Sequence, residues 1–142
     1  YYMDHNNIFL DNVMKIDIIQ NEYSKTNIPK IVFIVPYRDR ENQKNWFTQK
    51  INHLANIIPF FEVYFIHQND VRIFNRGAMK NFGFLHIKKK YPRDYKTISF
   101  VFHDVDTFPQ RNVLLKYSIS PSNKHDNAGF KIFFLFSLLN CC

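Results

Sequence analysis

The sequence predicts an α/β fold, a mostly parallel Rossmann-like sheet flanked by helices and incomplete as it stands. Three observations predict it. Continuous apolar, β-branched runs at Lys30–Tyr37, Phe61–His67 and Ile98–Phe102 read as strands buried on both faces. Between them lie stretches whose apolar residues recur at helical spacing. The carboxyl ends of the runs carry the charged clusters of the chain, Pro36–Arg40, His67–Asp70 and His103–Asp106. A strand–helix–strand–helix–strand order implies right-handed crossovers, with ligands bound beyond the carboxyl ends of the strands.

Residues 1–29 form a lead-in rich in Asn, Asp and Lys, with at most one short element near Val13–Ile19, and Pro29 ends it. KIVFIVPY is the first strand. Phe47, Ile51, Leu54 and Ile58 then mark one helical stripe, with Asp39 as its N-cap and Pro59 as its stop. FEVYFIH is the second strand, followed by the loop Gln68-Asn69-Asp70. Phe74, Ala78, Phe82 and Leu85 repeat at helical spacing, and Lys88-Lys89-Lys90 suit the negative end of that helix before Tyr91-Pro92 closes it. ISFVF, the third strand, runs straight into His103-Asp104-Val105-Asp106. The apolar run Phe130–Leu139 reads as a buried strand, a helix or an abnormal end to the chain, and is far shorter than the roughly 20 residues of a membrane span. The chain divides into a lead-in (1–29), an α/β domain (30–117) and a divergent apolar tail (118–142).

With 142 residues the chain suits one domain, and 46% hydrophobic residues exclude disorder. Three glycines and six prolines argue against a loop-rich sandwich. A net charge of +7 fits a lysine-coated surface, an anionic ligand, nucleic acid or an acidic membrane. Nucleic acid is disfavoured, because the basic residues do not gather on one recognisable element. The adjacent Cys141 and Cys142 give neither an internal disulfide framework nor a cysteine metal site. The histidines at 5, 53, 67, 86, 103 and 125 lack metal-ligand spacing, and His53 and His86 fall inside the helices. No secretory signal is visible in residues 1–8, and no phosphate loop, dinucleotide fingerprint or nucleophile elbow is present.

The chemistry-bearing residues sit at the strand ends. On an extended chain Asp104 and Asp106 would point to one side, and two hard oxygen donors suit Mg²⁺ or Mn²⁺. The plain alternative is a solvated turn whose aspartates cap backbone groups. Arg38 and Arg40 suit phosphate oxygens, or else form a surface set with Asp39 and Glu41. Arg76, at a helix start, is an anion-site candidate or a solvated first turn.

Three segments taken together, IVFIVPYRDRENQKNW, IFNRGAMKNFGF and FVFHDVDTFP, resemble the first half of the β-1,4-galactosyltransferase family. That family has a strand ending P-[FY]-R-x-R, an element F-N-R-x-x-x-x-N-x-G-F and a strand ending D-V-D-x-x-P, all found here in order over roughly residues 30–109. The resemblance implies a type-A glycosyltransferase fold and a UDP-sugar donor, UDP-galactose foremost, bound with Mn²⁺ (or Mg²⁺). It also implies a glycan or glycoprotein acceptor and a Golgi or secretory lumen, although no anchor is visible. By position, Pro36, Tyr37, Arg38, Asp39 and Arg40 would line the uridine-diphosphate site, and Phe74, Asn75 and Arg76 the uracil and ribose region. Val105 would touch the nucleotide, Asp106 would bind the metal directly, and Asp104 would support it. Asp39 stands where many relatives have Asn, and Tyr37 where many have Phe. The family's W-G-W-G-x-E-D segment, with its catalytic base, and its later metal-binding Met and His are not found after Asp106; Asp126, in KHDNAGF, does not match. No base is therefore assigned, and the chain alone is expected to transfer little or no sugar. The competing expectation is a non-catalytic binding domain that keeps the fold, with a protein partner and an apolar patch around Phe130–Leu139.

Overall fold

The computed structural model describes residues 14–20, 28–53, 60–108 and 131–134. Its elements are β1 (Met14–Gln20), β2 (Ile31–Tyr37), α1 (Glu41–His53), β3 (Phe61–Gln68), α2 (Arg76–Lys90), a single 3₁₀ turn (Tyr95–Thr97), β4 (Ser99–Phe102) and β5 (Lys131–Phe134). Five strands form one sheet in the order β1-β3-β2-β4-β5. β2 pairs in parallel with β3 and β4, and β5 adds in parallel to β4. Among the described strands only β1 runs antiparallel, against β3. The expected mostly parallel α/β architecture is therefore present.

Every residue of β2 is buried, as its unbroken apolar run demands of a central strand covered on both faces. Side-chain alternation divides the core in two. Ile31, Phe33, Val35 and Tyr37 face α1 and meet Phe47, Ile51, Val63 and Phe65. Val32 and Ile34 face α2 and meet Tyr64, Ile66, Met79, Ile87 and Phe100. Edge-on aromatic pairs mark both sides, Phe47 with Phe65 at 5.7 Å and Phe84 with Phe100 at 5.1 Å. Each fully buried Phe or Ile contributes about 1.5–3 kcal/mol over its exposed state.

Helix α2 is held close to the sheet by Gly83, where a Cβ would lie 2.7 Å from Ile34 Cγ2. This shifts the expected stripe. Met79, Gly83 and Ile87 form the buried row, four residues apart, while Leu85 is 55% exposed. Phe74, Ala78 and Phe82 pack only partly against the same core. Helix α1 buries Phe47 and Ile51 as expected; Leu54, Ile58 and Pro59 lie outside the described residues. Asp39 is not the N-cap. Its φ is 54°, and the first helical hydrogen bond runs from Lys44 N to the Arg40 carbonyl at 2.9 Å, one residue further on. The left-handed turn at Asp39 swings the chain from β2 into the helix, and Asp tolerates that conformation better than most residues.

The lead-in contributes β1, one residue off the expected Val13–Ile19, and the apolar run near the end contributes β5. Val13, His125, Asp126, Cys141 and Cys142 lie outside the described residues. Among the described residues no helix is long and apolar enough to cross a membrane.

Candidate functional site

The carboxyl ends of β2 and β4, together with the loop after β3, enclose a cleft of about 460 Å³. Pro36, Tyr37, Arg38, Asp39 and Arg40 line it from the β2–α1 turn, Phe74 and Arg76 from the β3–α2 loop and helix start, and Asp104, Val105 and Asp106 from the segment after β4. Of the residues that the resemblance assigns to the donor and metal site, Asn75 alone is not in the lining. It caps α2, its side-chain oxygen accepting from Ala78 N at 2.9 Å.

Tyr37 forms one wall. Its ring stacks on His67 at 4.9 Å, and its hydroxyl donates to Asp17 at 3.4 Å and accepts from Lys44 at 3.0 Å. Lys44 also pairs with Asp17 and lies over the Tyr37 ring at 4.9 Å. Burial pushes the Tyr37 phenol up. The hydrogen bond from Lys44 holds the Asp17 carboxyl below its usual range. Burial draws the Lys44 ammonium down, but its hydrogen bonds to Asp17 and Tyr37 outweigh this and raise it. Arg38 donates to the carbonyl of Arg72 and reaches that of Asp70 at 3.5 Å, with its guanidinium 5.7 Å from the Phe74 ring centre. It thus ties two walls together. The expected surface set is present only in part: Arg38 lies 3.8 Å from Asp39, whereas Glu41 faces Lys44 at 3.9 Å. Arg40 is exposed and makes no ion pair among the described residues.

Gln68 organises the second wall, and sequence reasoning assigned it to the loop. It ends β3 with its side chain buried. Nε2 reaches Asp70 Oδ1 at 2.6 Å and the carbonyls of Arg72 and Ile73 at 3.3 and 3.2 Å, while Oε1 accepts from Asn75 N at 2.7 Å. One amide thereby sets the loop that carries Phe74 and Arg76. The available signal was a polar residue ending an apolar strand, which must find partners once buried.

The third wall differs from the expected extended chain. β4 stops at Phe102, and Asp104–Thr107 forms a turn, with Thr107 N and Oγ1 both donating to the Asp104 carbonyl at 3.4 and 3.3 Å. The two carboxylates reach the same cleft through that turn rather than through strand alternation. Val105 between them is buried and anchors the turn in the core. His103 is fully buried behind it; Nδ1 donates to the Asp104 carbonyl at 2.7 Å, and burial pushes its pKa down.

Asp104 already has cationic neighbours. Arg76 Nη1 donates to its Oδ2 at 3.0 Å, and Lys80 Nζ stands 3.6 Å from Oδ1, too far for a hydrogen bond. Oδ1 is buried and has no hydrogen-bond partner. Lys80 was not singled out from sequence, although it follows Arg76 by four residues and so shares its helix face. Asp106 is exposed and makes no ion pair among the described residues. An exposed carboxylate of this kind offers the hard oxygen donors that suit a divalent cation. Among the described residues no group of three or more His, Cys, Asp or Glu converges, so these residues supply only part of a shell.

Comparison with known proteins places residues 13–118 in the N-terminal region of glycosyl transferase group 7. The chain is 30% identical over 105 residues to β-1,4-galactosyltransferase 4 of Cricetulus griseus, and equally to that of Homo sapiens. It is 34% identical over 84 residues to β-1,4-galactosyltransferase 1 of Homo sapiens. The match with the hamster protein takes in 69% of this chain and 27% of the relative, so the chain spans about a quarter of the curated relatives' length. The human β-1,4-galactosyltransferase 1 match takes in 58% of this chain and 20% of the relative. No solved structure matches the chain significantly.

Proposed function

The chain belongs to the glycosyl transferase group 7 family, and from that premise we propose that its cleft is the donor half of a metal-dependent glycosyltransferase. The donor is a UDP-sugar, UDP-galactose foremost, and the reaction an inverting hexosyl transfer to a glycan or glycoprotein. The observation that carries this proposal is the convergence of Arg38, Arg40 and Arg76 with Asp104 and Asp106 on one cleft at the carboxyl end of the sheet.

Arginines offer planar, paired donors that match diphosphate oxygens. Arg40 is free to turn toward a ligand, and Arg38 is prepositioned by the loop carbonyls it binds. Phe74 supplies an aromatic ring for a base, and Tyr37 lines the same cleft. Asp106 would hold the divalent ion directly, with Asp104 beside it. When bound, such an ion neutralises the charge developing on the diphosphate leaving group. No residue of this chain is assigned as the base that deprotonates the acceptor, and we expect binding of donor without turnover by the chain alone.

The test is calorimetric titration of UDP and UDP-galactose with and without Mn²⁺. Mn²⁺ should tighten binding, and Asp106→Ala should remove most of that gain, roughly tenfold or more for a lost direct ligand. Metal-dependent UDP binding unchanged by Asp106→Ala would defeat the proposal. A separate assay with labelled UDP-galactose and a glycan acceptor should show no turnover above background.

A further inference from the structure

We infer that Lys80 is a built-in cation just outside the lining of this cleft, one that neutralises Asp104 and leaves the divalent ion to Asp106. The inference rests on the donor-cleft reading above and sharpens it. Arg76 and Lys80 stand four residues apart on α2 and reach the two oxygens of one carboxylate. Arg76 makes a hydrogen bond to Oδ2; Lys80 faces Oδ1 as a charge at 3.6 Å, with no donor directed at that buried oxygen. The Lys80 side chain is mostly buried, so little water screens it.

Two consequences follow from the charges. A divalent ion approaching Asp104 meets a carboxylate already paired with two cations, Arg76 and Lys80. Asp106, exposed and unpaired among the described residues, offers the lower-energy ligand. The cleft also carries positive charge of its own, so part of its affinity for a nucleoside diphosphate needs no metal.

The experiment uses the whole chain as wild type, Lys80→Met, Lys80→Arg and the double variant Lys80→Met/Asp104→Asn, each checked for an unchanged melting curve. If Lys80→Met fails to fold, Lys80→Gln takes its place. Mn²⁺ alone is titrated by electron paramagnetic resonance, without nucleotide. Removing a cation this close should tighten Mn²⁺ binding about tenfold. Lys80→Arg should stay at wild-type affinity, and the double variant should lose the gain. UDP titrated in EDTA should bind Lys80→Met several-fold more weakly than wild type. A Lys80→Met chain with wild-type Mn²⁺ affinity, or a Lys80→Arg chain that behaves like it, overturns the inference. If wild type binds no UDP under any condition, the donor reading fails, while the Mn²⁺ titration still decides the role of Lys80.

Discussion

Helix α2 makes a lysine–carboxylate pair at each end, and the two pairs are built differently. At its carboxyl-terminal end Lys90 donates to Glu62 at 3.0 Å, and the same carboxylate accepts from the hydroxyls of Tyr91 at 2.7 Å and Tyr64 at 2.6 Å. Glu62 is 1% exposed, and both its oxygens are satisfied. Burial first, and then Glu62, push both phenols above their ordinary range, which keeps them protonated donors. At the amino-terminal end Asp104 lines an open cleft, with Arg76 hydrogen-bonded to one oxygen and Lys80 ion-paired at 3.6 Å with the other, which has no hydrogen-bond donor. The closed cluster fixes the helix on the sheet. The open one balances Asp104 with two cations and leaves Asp106 beside it exposed to a ligand. A buried carboxylate with every acceptor filled is built for position, and an exposed one beside a cleft is open to a ligand.

The largest expected effect lies at the closed end. Glu62→Ala leaves Lys90 and two tyrosines without their shared acceptor and should cost about 3 kcal/mol in urea unfolding. Gly83→Ala comes next. Its Cβ would overlap Ile34, and overpacking of this kind costs about 1–3 kcal/mol. Asn75→Ala removes the α2 cap and should cost about 1 kcal/mol. Asp104→Asn, at the open end, should cost under about 1 kcal/mol because its Arg76 partner is more than half exposed, yet it should alter Mn²⁺ and UDP affinity. A Glu62→Ala chain as stable as wild type, or an Asp104→Asn chain as unstable as Glu62→Ala, would erase the contrast.

The smallest effect is a pH dependence. Folding holds the Asp17 carboxyl below its ordinary value of 3.8 through Lys44. Its contribution is complete above that unfolded value and is lost as pH falls through the lower folded one. Acid unfolding of Asp17→Asn should therefore lack this part of the slope below about pH 4. Parallel acid limbs for the two proteins would remove Asp17 from the account.

Much of the fold was legible because its central strands are buried on both faces. IVFIVPY carries its burial as an unbroken apolar run, and SFVF is apolar after its first residue, Ser99. Helix α2 was legible as a helix but not in rotation. Gly83 is the residue that sets its close approach, and a pattern of large apolar residues cannot see a glycine; Leu85 was placed in the stripe instead. Asp39 failed as a cap because the chain turns left-handed there before the helix begins. Two of the three charged strand ends, Pro36–Arg40 and Asp104–Asp106, meet in one cleft with Arg76 and with Phe74, which the resemblance supplied, while His67–Asp70 and Asn75 lie outside its lining. Gln68 and Lys80 were not found. Gln68 acts through loop carbonyls that no spacing reveals, and Lys80 through a carboxylate 24 positions along the chain.

The contrast between the two ends of α2 is tested most directly by nuclear magnetic resonance of the ¹⁵N-labelled chain with UDP and substoichiometric Mn²⁺. Paramagnetic broadening should be strongest at the amides of Val105, Asp106 and Thr107, extend to Arg38–Arg40 and Arg76, and fade toward Glu62 and Lys90. Broadening centred on the Glu62 end, or none at Asp106 with UDP present, would contradict a donor and metal site at the carboxyl end of this sheet.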